Sequence, residues 1–214
     1  MKQITIAGLL GVVSLLVIGC ASMPGPAELD AQTVAMLKAS FSDKGIATTK
    51  RLEQDAMQKA CSSQQAPSEA VAKQIEAEAM ATVQWPAGGK YIGHWQDGEK
   101  LAQSGKGMSW AEKSTDPKEN GGSCYNCHEI SKKEVSFGNI GPSLYNYGRI
   151  RGVKDVADPK TAAIVQYTWS KLWNSKGSVA CSNMPRFGHA GILNEEQIRN
   201  LMALLLDPKS PVNQ

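Results

Sequence analysis

The sequence has little surplus charge, no internal repeat and no low-complexity tract. Charged residues make up 20% of the chain and the formal net charge is +3, which gives no field strong enough to argue for nucleic acid as a partner. Its 214 residues suit one domain with an extension, or at most two small domains, and can bury a real core. The apolar run from about Ile4 to Ile18 has no cationic stop signal behind it, only "ASMPGPAE". A cleaved export signal is therefore favoured over a retained membrane helix, and Lys2 ahead of the run fits it.

The end of that run, "VIGC", resembles the bacterial lipobox, in which the cysteine becomes the new amino terminus and carries lipid. This makes residues 1–19 a signal peptide of lipoprotein type and Cys20 the lipidation candidate, since several acyl chains give a stable anchor where one binds only marginally. Ala21 is not aspartate, which in lipoproteins points to the outer membrane. The alternative is cleavage after Ser22 and a soluble product. Of the five cysteines, Cys124 and Cys127 belong to a motif and Cys20 to the signal junction. Cys61 and Cys181 remain, and in an oxidising compartment two spare thiols are expected to pair; the alternative is two separately buried thiols.

Residues 20–87 read as a linker and helical extension. Val34, Leu37 and Phe41 form one apolar stripe, and Val71, Ile75 and Met80 fall in another helical segment that Pro67 is placed to open. Helical period disappears at "WPAGGKYIGHW" and a short helix is predicted over 97–105, ended by Gly105. A glycine-rich loop follows "GGSCYNCHEI", then a helical pattern runs through Ile164, Tyr167 and Leu172. In the last helix Asn194 and Gln197 are spaced as a capping box, and Ile198, Leu201, Met202 and Leu205 share a face. Pro208 stops it.

Cys124, Cys127 and His128 stand in the spacing Cys-x-x-Cys-His, the attachment signature of c-type haem. Two thiols three positions apart can each bond one vinyl group of a porphyrin, and the next residue offers an imidazole to the iron. A thioredoxin-like dithiol wants a βαβ context that is lacking here. A zinc site wants a second close pair, which Cys61 and Cys181 do not form. The expected cofactor is one covalently bound haem c.

For the sixth iron position the candidates are Met184, Met202, Met108, His94 and His189. Met184 is favoured, in a loop ahead of the final helix where Pro185 fixes the chain direction. Met202 falls on a core face, and His189 is the rival in the same loop. A Met/His pair saturates the iron and raises its potential, which describes an electron carrier.

"GPSLYNYGRIRG" resembles the class I cytochrome c run in which Gly-Pro-x-Leu precedes Gly-Arg, and "NMPRFG" resembles the methionine loop of that class. Residues 90–213 are similar to the SoxX family, the cytochrome c subunits of SoxAX thiosulfate-oxidising complexes. The resemblance implies an all-α class I cytochrome c fold over 88–214, with the Pro142 carbonyl accepting from His128 Nδ1–H. It implies an electron-transfer subunit that is not catalytic alone, in a heterodimer with a SoxA-like c-type cytochrome. The complex would act as an L-cysteine S-thiosulfotransferase on a SoxYZ-like carrier, with a small periplasmic cytochrome as acceptor. The lipobox departs from the soluble form expected of that family.

Arg149 is the candidate for a haem propionate, ahead of Arg151. Trp110, Tyr125, Tyr145, Tyr147, Trp169 and Trp173 either wall the haem or supply a docking patch. A Cys61–Cys181 bridge closes a loop of about 120 residues, a gain on the order of 4 to 5 kcal/mol, and is expected to restrain the methionine loop. Two other functions stay open: a haem enzyme with a displaceable distal ligand, and a stand-alone monohaem carrier.

Overall fold

The structure, a computed structural model, describes residues 23–63 and 65–214. The signal segment 1–19 and Cys20 lie outside the described residues. Helices and turns make up the ordered elements, and among the described residues there is no strand, only an isolated bridge between Lys44 and Ala47. The described part of the chain is therefore all-α. Among the described residues no helix is long and apolar enough to cross a membrane.

Two compact units divide between Phe41 and Ser42. In the first, α1 (Pro26–Ser40) opens with proline in its first turn and buries none of its residues. Val34 and Phe41 of the predicted stripe are exposed. Helical period is present in that stripe, but no partner surface covers it within the described part of its unit.

The second unit holds α2 (Ala56–Cys61), α3 (Glu69–Ala81), α4 (Trp95–Gln103), α5 (Tyr147–Ile150), α6 (Ala162–Trp173) and α7 (Glu195–Leu206). Residues 42–87 thus pack into the same unit as the chain that follows. Asp55 starts α2 through a reciprocal box, its side chain accepting from Gln58 N–H at 2.8 Å while Gln58 Oε1 accepts from Asp55 N–H at 2.9 Å. Ser68, not Pro67, is the residue that caps α3, so the proline stands one place outside the helix. α4 begins at Trp95, earlier than Asp97, because the chain before it is tied to α7: Gly93 N–H donates to Arg199 O at 2.9 Å and His94 N–H to Asn200 Oδ1 at 2.8 Å.

α4 crosses α7 at close range. A β-carbon on Gly98 would lie 2.1 Å from the Asn200 carbonyl oxygen, so only glycine permits this approach. The capping box at Asn194 and Gln197 is formed, and Gln197 Nε2 also donates to the Pro117 and Asn120 carbonyls. Leu204 and Leu206 are as buried as the predicted face of Ile198, Leu201, Met202 and Leu205. The end of α7 is apolar all round because α4, α5 and α6 all pack against it. Each such side chain contributes roughly 1.5–3 kcal/mol by leaving water.

Trp169 is fully buried on α6, with its ring edge-on to Tyr91 and stacked with Trp173 at a 6.0 Å centroid separation. Its indole N–H donates to the Gln84 carbonyl at 2.8 Å, fastening the segment after α3 to the core. Asn174, also fully buried, donates to Thr82 Oγ1 at 2.9 Å and makes a second tie to α3.

Candidate functional site

Cys124–Asn126 is a single 3-10 turn, entered through Ser123 in the left-handed region at φ 50°. Both the Cys127 and His128 amides donate back to the Cys124 carbonyl, at 3.1 and 2.9 Å. The glycine-rich segment that follows then runs back along the motif. Gly138 N–H donates to Tyr125 O at 2.8 Å, Gly141 N–H to Cys127 O at 2.8 Å and Leu144 N–H to Glu129 O at 2.7 Å. Glu129 is held in turn by Ser143 and Lys132, and the Ser143 hydroxyl is the main reason its carboxyl lies below the usual range.

This return segment fixes His128. Its Nδ1 is 2.7 Å from the Pro142 carbonyl oxygen, which can only accept, so Nδ1 carries a proton and Nε2 is the ring nitrogen not engaged by that contact. A β-carbon on Gly141 would fall 2.1 Å from His128 Cε1, so the imidazole lies flat against the glycine backbone.

Cys124 and Cys127 are free thiols, whereas Cys61 and Cys181 form a disulfide with Cα atoms 5.4 Å apart. Cys124 packs against the hydrophobic core, and burial pushes its thiol up to about 12. A redox dithiol needs the opposite shift, toward thiolate. Because Cys61 and Cys181 are bonded to each other, they cannot supply the second thiolate pair of a zinc site.

Met184 packs against the same core as Cys124. The Ser175 hydroxyl donates to its carbonyl at 2.6 Å, and Ser175 itself is fully buried. The other axial candidates sit differently. Met202 is fully buried on α7 among apolar neighbours. Met108 is in a turn with φ 64°, its carbonyl accepting from Arg51. His94 caps α4 beside Arg199 and Glu196. His189 is half-buried near Arg186 and Asp55; burial first, and then the Arg186 charge, hold it below the ordinary histidine value.

These residues fit a covalent haem c. They offer two unpaired thiols, an imidazole with a free nitrogen on an orientated ring, and a thioether on the same core. Trp173 Nε1 is buried and has no hydrogen-bond partner among the described residues. Arg149 is exposed, and its guanidinium makes no hydrogen bond or ion pair among the described residues. Arg151 instead lies 3.7 Å over the Tyr147 ring and donates to the Tyr147 carbonyl. Of the other aromatics, Trp169, Trp173, Tyr125 and Tyr147 are buried and Trp110 is exposed with Lys44 over its ring.

Sequence reasoning missed Ser175, which carries no local signal because it acts through the carbonyl of Met184, nine residues on.

No family model matches the chain. An Aquifex aeolicus (strain VF5) protein described as an uncharacterised lipoprotein is 38% identical over 165 residues, spanning 75% of this chain and 73% of the relative. The chain belongs to the family of that lipoprotein. The similarity therefore extends over most of both sequences and is not confined to one motif.

Proposed function

We propose that the chain is a monohaem c-type cytochrome of class I fold that carries electrons and does not bind substrate at its iron. The observation that carries this is the His128–Pro142 contact at 2.7 Å, which leaves Nε2 as the coordinating nitrogen directly after two unpaired thiols. Cys124 and Cys127 would hold the porphyrin as thioethers, and His128 and Met184 would take the two axial positions. When bound, haem c supplies a one-electron iron couple whose potential a thioether ligand raises. The chain's own part is to keep the imidazole in one tautomer, hold the Met184 carbonyl through Ser175 and pack Met184 against the hydrophobic core.

The finer assignment is to the SoxX family. Its support is the run of motifs from Cys124 through Met184 and the Cys61–Cys181 bridge. On it, the chain forms a heterodimer with a SoxA-like cytochrome, takes electrons released when thiosulfate is joined to a carrier cysteine, and passes them to a small periplasmic cytochrome. The lipobox at Cys20, together with the relative's description as a lipoprotein, supports export and a lipid anchor, with Ala21 pointing to the outer membrane.

The deciding experiment expresses the chain with its export signal in cells able to attach haem c and weighs the denatured product. Retention of one haem mass, lost in Cys124→Ala with Cys127→Ala, is expected. Bare thiols in the wild type would sink the proposal. Co-purification of a second c-type cytochrome under native conditions separates the complex subunit from a stand-alone carrier.

A further inference from the structure

Met184 sits in a stretch whose own backbone does little to hold it. Between Val179 and Arg186 the backbone makes one local turn bond, Ser182 N–H to Val179 O at 3.0 Å; Met184 N–H donates to Ser182 Oγ at 3.3 Å, and His189 N–H to Trp173 O at 3.0 Å closes the wider loop. Its flanks are tied also to chain more than a hundred residues earlier. Ala180 N–H donates to Glu76 Oε1 on α3 at 3.1 Å. Cys181 is bonded to Cys61 at the end of α2. Arg186 Nη1 donates to Asp55 Oδ2 at 2.6 Å, with the arginine side chain only 15% exposed. The Lys176 ammonium, buried beside Cys61, donates to the Ala180 carbonyl at 3.0 Å.

We infer that residues 55–76 form a clamp whose function is to position the Met184 thioether, with Asp55, Cys61 and Glu76 as positioning residues. The inference rests on Met184 being an iron ligand. Thioether coordination is an intramolecular association, so its strength follows the effective concentration of the sulfur at the metal, which falls when the flanking loop is released. Three ties on both sides of Met184 limit that loss. Asp55 serves two purposes with two oxygens, since Oδ1 caps α2 and Oδ2 holds Arg186. Asparagine caps a helix as well as aspartate does, so Asp55→Asn keeps the cap and replaces the charged acceptor that faces Arg186 with an amide NH2, which cannot accept.

The experiment compares wild type, Asp55→Asn, Glu76→Ala and the Cys61→Ser, Cys181→Ser pair, all as the full haem-loaded chain. Exogenous imidazole competes with Met184, and its apparent affinity is expected to rise by about tenfold in the serine pair, equivalent to 1.4 kcal/mol. A smaller rise is expected in Asp55→Asn. Amide hydrogen exchange over 178–190 should quicken in parallel while helical content is unchanged. If the serine pair fails to fold, Asp55→Asn and Glu76→Ala carry the test with the disulfide intact. Imidazole affinity and exchange at wild-type values in every folded variant would overturn the clamp. Failure of the ligand assignment shows separately, as a wild-type methionine-to-iron charge-transfer band persisting in Met184→Ala.

Discussion

The His128 ring lies against the backbone of Gly141 so closely that a β-carbon would come within 2.1 Å of Cε1 and 2.5 Å of Nδ1. The same ring atom Nδ1 is engaged with the Pro142 carbonyl. One residue thus sets how near the return segment approaches, and the next sets which way the imidazole turns.

Gly141→Ala is accordingly expected to push the ring off Pro142 and to cost about 1–3 kcal/mol, the usual penalty for an unaccommodated methyl. Thermal unfolding followed by circular dichroism gives the stability, and loss of the protected Nδ1–H resonance reports the broken contact. A variant with the wild-type midpoint and that resonance intact would mean the ring is free to move aside.

At the start of α7, Asn194 and Gln197 satisfy each other's backbone donors at 2.9 Å. Asn194→Ala should lower stability by about 1 kcal/mol, and Asn194→Asp should be close to neutral. Urea unfolding of the three chains, with unchanged slope, measures this directly.

Acid should loosen the Asp55–Arg186 contact. Burial raises the Asp55 carboxyl, but the Gln58 amide and the Arg186 guanidinium outweigh it and hold the group below its ordinary value of 3.8. Folded protein therefore binds fewer protons than unfolded in that window, so this stabilisation is complete above the unfolded value and disappears as pH falls through the folded one. The stability gap between wild type and Asp55→Asn is expected to be constant near neutrality and to close below about pH 4. A gap independent of pH would remove the ionised pair from the account.

Trp169→Phe keeps most of the buried ring and deletes the donor to Gln84. The carbonyl left behind should cost about 1–3 kcal/mol. The loss should concentrate in protection of residues 82–92 from hydrogen exchange, not in α7.

Local features were the legible ones. The Asn194–Gln197 box and the apolar face of α7 follow from spacing within a few residues. The Cys61–Cys181 bridge followed from compartment and elimination, which bypass geometry. The rest depends on which surfaces meet. Val34 and Phe41 have helical spacing yet stay exposed, because period specifies a face and not a partner. Leu204 lies outside the predicted α7 stripe yet is buried, since α4 crosses there over Gly98. Ser175 and Arg186 carry no pattern at all; their partners are fixed only once the chain has closed on itself.

The ties between 55–84 and 169–186 also order events during biogenesis. Cys61 and Cys181 are separated by 120 positions, and Trp169 is 85 from Gln84. A chain made from its amino end presents α2 and α3 long before their counterparts have emerged. The Cys124–His128 turn precedes Cys181 in the chain, so it emerges while the bridge cannot yet form. The bridge therefore closes only after both thiols of that turn have been made.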